Sequence, residues 1–147
     1  MPATVDGAVP WHWEALAGRG YTRGNSWSDA AFIDWVGGSR PLARGFAWSP
    51  MATAGAIGGV PRFGDTYDRT VWFVGAGARL QVWKGFFASF EVGAISRQTP
   101  AFSSTYQFAT SFGWSRDRFL ISVRHISNAG LKEPNFGETT FLAGVSF

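Results

Sequence analysis

The residues best able to do chemistry stand near the C-terminal end of the chain, where His125 and Ser127 lie two apart. In residues 118–128 the apolar side chains Phe119, Ile121 and Val123 occupy alternate positions, opposed by Ser122 and Arg124. A period of two marks a β-strand, whose successive side chains point to opposite faces. His125 and Ser127 continue the apolar row, so an imidazole and a hydroxyl share one face about 6.6 Å apart along the strand. That is the base–nucleophile pairing of acyl transfer. A third group normally orients the imidazole. With a hairpin centred near residue 131, His125 falls opposite Glu138, the carboxylate closest to that position. Strict alternation groups Glu138 with Leu142 and Gly144 on the other face, so a bulge or an irregular strand start is expected to turn it. The plain alternative is a His that reaches into a polar boundary layer and a Ser that is neutral.

The element that carries this pair is one of a series. Residues 71–83 alternate Trp72, Val74, Ala76, Ala78, Leu80 and Val82 with Gly75, Gly77, Arg79 and Gln81. Phe86, Ala88, Phe90, Val92 and Ala94 oppose Ser89, Glu91 and Gly93; Tyr106, Phe108, Thr110, Phe112 and Trp114 oppose Gln107, Ala109, Ser111 and Gly113. The last ten residues set Phe141, Ala143, Val145 and Phe147 against Thr140, Gly144 and Ser146. A soluble sandwich would show a long-chained, solvated polar face. Here that face is Gly, Ser, Gln and single charges, which suits a crowded polar interior. An apolar outside, a polar inside and strands of about ten residues identify a transmembrane β-barrel. Three earlier strands, at residues 11–21, 29–36 and 42–51, complete eight. The connections at Lys84-Gly85 and Ser115-Arg116-Asp117 are tight, whereas residues 52–68, 97–103 and 129–137 form longer ones. Short turns face the periplasm and long loops the exterior in such barrels, so both termini are expected on the periplasmic side. The fold expected is an all-β, eight-stranded, antiparallel up-and-down barrel, one domain over residues 1–147.

Composition narrows the function. Charged residues are 16% and aromatic residues 17%, against roughly 25% charged in ordinary soluble domains, which excludes a disordered chain. With no Cys and only two His, neither a disulfide framework nor a metal site is expected, and no cofactor is called for. A net charge of +3 is too mild to argue for nucleic acid. The N-terminal residues Met1 to Asp6 lack a basic and an apolar region, so no signal peptide is expected within this sequence. Either the protein stays inside the cell or this is a mature chain with a start Met in place of that peptide. An eight-stranded barrel is filled by its own side chains, so function belongs on the outer wall or in the loops. His12, Glu14, Arg79, Glu91 and Arg124 are expected to form an interior network. The Gly-rich run from Ala54 to Gly59 lacks a following helix and does not read as a phosphate cradle.

The stretch Arg124-His125-Ile126-Ser127-Asn128-Ala129-Gly130, continuing through Pro134-Asn135 to Glu138, resembles the PagL family of outer-membrane lipid A 3-O-deacylases. The motif is confined to the C-terminal hairpin; elsewhere the agreement is in length, strand count and composition. The resemblance implies a serine esterase that removes the 3-hydroxyacyl chain at position 3 of lipid A, with lipopolysaccharide as substrate and outer-membrane lipids as surroundings. By carry-over Ser127 is the nucleophile, His125 the general base and Glu138 the residue that holds the imidazole. Asn128 and Gly130 are oxyanion-hole candidates, and Asn135 matches a family Asn. Lys132 or Arg97 are candidates for pairing with lipid A phosphates. The site is expected to face the cell exterior, and a homodimer is a candidate assembly. The competing readings are a non-catalytic barrel serving as adhesin or anchor, and another lipid-modifying barrel enzyme.

Overall fold

A computed structural model of the chain describes residues 9–22, 26–58, 70–96, 104–129 and 137–147. Its elements are β1 (His12–Thr22), β2 (Ser26–Val36), β3 (Arg40–Ala43), β4 (Phe46–Ile57), β5 (Val71–Gln81), β6 (Phe86–Ile95), β7 (Tyr106–Arg116), β8 (Phe119–Ser127) and β9 (Glu138–Ser146). Every pairing is antiparallel between neighbours in sequence, with two exceptions that close the ring: β1 pairs with β9, and β2 pairs with β4. Eight long strands therefore form a closed barrel with no unpaired edge, the one kind of sheet that lipid tolerates. The short β3 lies outside the ring and pairs with the start of β4 alone.

Two sequence expectations need correcting. The third barrel strand is Phe46–Ile57, not residues 42–51, so residues 52–57 belong to a strand rather than a loop. Those positions set Thr53, Gly55 and Ile57 inward against Ala52, Ala54 and Ala56. With Ala as the outward residue the hydrophobic contrast is slight, and the strand is held by its ladders to β2 and β5. The second correction concerns register. His125 lies opposite Thr139 and Ile126 opposite Glu138, one residue away from the expected opposition of His125 and Glu138. Residues facing each other across an antiparallel pair share a face, so this shift decides which β9 side chain meets the imidazole.

The alternation expected of β5 to β9 holds. Trp72, Val74, Phe90, Val92, Phe112, Ile121 and Phe141 all point outward and are half or more exposed, which no water-soluble monomer would tolerate in such a continuous belt. Inside, Arg79 donates two hydrogen bonds to Glu14, at 2.7 and 2.8 Å, and Arg124 forks onto Asp34 while its Nε donates to Ser111 at 3.1 Å. Thr53 Oγ1 stands 2.8 Å from Asp34 and 2.9 Å from Glu91, and His12 Nε2 lies 3.0 Å from Glu14. Arg79 lies over the ring of Phe87 and Arg124 over that of Phe32, at 4.1 and 4.5 Å from the centroids. Leu16, Phe73, Leu120, Ile126 and Leu142 fill the remaining interior. Ion pairs with this many partners are what a dry interior requires of its charges, and with the apolar side chains they fill the interior among the described residues.

Candidate active site

The wall formed by β7, β8, β9 and β1 carries the candidate pair at the rim where the long connections emerge. Across the ladders, Thr110, His125, Thr139 and Tyr21 form one outward row, and Phe108 and Ser127 begin the next row towards that rim. The His125 side chain is exposed on the outer wall and Ser127 is half-buried beside it. His125 Nδ1 lies 2.9 Å from Thr139 Oγ1. With the ring proton on Nδ1, that hydroxyl accepts it and Nε2 is left as the free base. Ser127 Oγ accepts a hydrogen bond from the Ala129 backbone N–H at 3.4 Å, a turn that ends β8 just past the hydroxyl.

Gly137 closes the site on the β9 side. Its φ is +62°, and a Cβ built there would lie 3.0 Å from His125 Cε1, 3.0 Å from Ile126 O and 3.1 Å from Ser127 Cβ. Only a residue without a side chain takes this conformation freely and lets the β9 backbone approach both groups so closely. Ala129 also has a positive φ, +54°, an uncommon state for a residue with a Cβ. Both irregular backbones thus flank the hydroxyl, the usual company of a functional group.

The remaining expected residues are placed as follows. Glu138 keeps strict alternation: it is buried on the inner face, where its carboxylate accepts a hydrogen bond from Ser28. Space for it comes from Gly20, where an added methyl group would overlap the carboxylate. The structure does not bring Glu138 to His125. Asn128 follows Ser127 with a fully buried side chain. Gly130, Lys132, Asn135 and Arg97 lie outside the described residues. Thr139 and Gly137 were not singled out by sequence reasoning. The signal for both was present, since the outward set Phe141, Ala143 and Val145 extends backwards to 139 and 137.

One row below the pair, Val123 and Phe141 begin an open groove in the outer wall. It has a volume of about 790 Å³, and its walls include Ala17, Phe112, Ile121 and Ala143. Ala residues on neighbouring strands form its floor between larger side chains, so it is apolar, elongated and open to the bilayer. No group of three or more His, Cys, Asp or Glu suited to a metal ion occurs among the described residues.

Comparison with known proteins supplies the context for this geometry. The family model described as lipid A 3-O-deacylase (PagL) matches residues 3–147. Among solved structures, the chain is similar to one titled the crystal structure of the outer membrane enzyme PagL, with 16% sequence identity and a TM-score of 0.53. The match covers 91% of this chain and 98% of that one, and at that identity the likeness shows the fold. A search of curated proteins finds no match.

Proposed function

Since this chain belongs to the PagL family of lipid A 3-O-deacylases, and is thus an ester-hydrolysing enzyme of the outer membrane, we propose that Ser127 and His125 carry the reaction. The observation that supports this most is the shared outward face of the two side chains at the rim end of β8, above an apolar groove open to lipid. A substrate acyl chain lies in that groove without leaving the leaflet, and its ester reaches Ser127 at the boundary with the headgroups.

His125 Nε2 takes the proton of Ser127 as the oxygen attacks the ester carbonyl carbon. The tetrahedral oxyanion needs preorganised donors. Backbone N–H groups just after the nucleophile, at Asn128 and Gly130, are suited to that role, with the Asn135 amide as a further donor from the same connection. Collapse breaks the bond to the sugar oxygen, which takes the proton from His125 and leaves as the 3-hydroxyl. Water, deprotonated by His125, then attacks the acyl carbon, and the bond to Ser127 Oγ breaks as His125 returns the proton to that oxygen, releasing the 3-hydroxy fatty acid. The rim bearing the long connections faces the cell exterior by the architecture of small outer-membrane barrels.

A fluorophosphonate probe, which phosphonylates only an activated serine, tests the pairing in detergent. Labelling is expected at Ser127 in the wild type and is expected to vanish in Ser127→Ala and fall at least a hundredfold in His125→Ala. Equal labelling of the folded His125→Ala variant would show that the imidazole does not activate the hydroxyl.

A further inference from the structure

We propose that Thr139 is the positioning residue of His125, in the place where a Ser-His hydrolase ordinarily sets a carboxylate. This rests on the assignment of Ser127 and His125 above and specifies its third member. The register puts Thr139 directly across from His125 on the same outward face, and its hydroxyl lies 2.9 Å from Nδ1. Both residues sit in regular ladder, so their contact needs no bulge.

The carboxylate at the start of the facing strand β9 has a different seat. Glu138 lies across from Ile126 on the inner face, receives Ser28 and fills the space left by Gly20. Moving it to His125 would exchange the inner and outer side chains at the start of β9 and leave Ser28 buried without its acceptor. The described neighbours of His125 include Thr110 on β7, Val123 and Ser127 on β8, Thr139 and Phe141 on β9, and Gly137 just before β9. Beyond them on β1 stand Tyr21 and, one row deeper, Arg19, which pairs with the exposed Asp29 at 3.4 Å. None of the described groups bordering the imidazole on β7, β8 or β9 is a carboxylate.

The chemical consequence is specific. A neutral hydroxyl that accepts the Nδ1 proton fixes the tautomer and the ring plane and leaves Nε2 as the basic nitrogen. It gives little stabilisation to the imidazolium formed when Ser127 is deprotonated, whereas a carboxylate gives a charge-assisted bond. Among the described residues the imidazole therefore has an orienting partner but not the charge of a carboxylate, and Thr139 is the position at which that charge can be added.

The test compares kcat, KM and the pH profile of lipid A deacylation for Thr139→Val, Thr139→Ser, Thr139→Glu and Glu138→Gln, each checked for the heat-dependent gel shift of a folded barrel. Thr139→Val is expected to lower kcat about tenfold, the scale of one hydrogen bond, with KM unchanged, and Thr139→Ser to restore it. Thr139→Glu is expected to raise kcat and move the acidic limb of the profile to higher pH. Glu138→Gln is expected to lose less kcat than Thr139→Val. The proposal is overturned if folded Thr139→Val keeps the wild-type kcat, or if Glu138→Gln is the more damaging change. Ser127→Ala and His125→Ala run alongside: activity retained in them removes the assignment of the pair itself, whereas activity lost in them with Thr139→Val unaffected removes only the role of Thr139.

Discussion

At the scale of single residues, Gly137 ties the backbone to the chemistry. Its positive φ, and the 3.0–3.1 Å that would separate a Cβ from His125 Cε1, Ile126 O and Ser127 Cβ, mean that a methyl group strains the backbone and makes these neighbours give by a few tenths of an ångström. Gly137→Ala is therefore expected to fold, shown by the gel shift, and to lose about tenfold in kcat, because catalysis tolerates little misplacement; a folded variant with wild-type kcat would contradict this placement. His125 and Ser127 were legible in the sequence because alternation along one strand needs no partner. Thr139 was not, because the facing residue depends on the register of a hairpin with a long connection. An estimate of its centre that is wrong by half a residue exchanges Thr139 for Glu138.

At the scale of elements, a strand is readable where its two faces differ. Residues of β6 to β9 set Phe, Trp and Val against Ser, Gly and charge, and their alternation survives intact in the structure. β4 sets Ala against Thr and Gly over its second half, so nothing local marks its end, and only the ladders to β2 and β5 extend it. Inside, the elements are joined by their charges. Arg124 on β8 reaches Asp34 on β2 across the barrel, and both are buried. Removing the guanidinium leaves the carboxylate buried without its main partner, a change worth about 3–5 kcal/mol. Arg124→Met is expected to lower the urea midpoint of the barrel in lipid vesicles by that amount of stability. A midpoint equal to that of the wild type would show that the pair does not hold the interior together.

At the scale of the whole molecule, the inversion of polarity decides where catalysis can occur. Among the described residues the interior is filled by ion pairs and apolar side chains, while the outer wall is apolar and meets lipid directly. An esterase built this way works at the boundary between acyl chains and headgroups, on a substrate that stays in its leaflet. The barrel and its polarity were visible in the sequence because both follow from a period of two and a low charge content. The groove was not, since it arises from Ala17 and Ala143 on strands joined only when β9 closes onto β1.

The most direct measurement of the account is mass spectrometry of lipid A after incubation with detergent-refolded wild type and with Ser127→Ala. The wild type is predicted to release a single 3-hydroxy fatty acid from position 3, and the folded variant none. Equal release by both proteins would contradict the role of Ser127, and intact lipid A with folded wild type, or cleavage of a phospholipid in its place, would contradict the reaction itself.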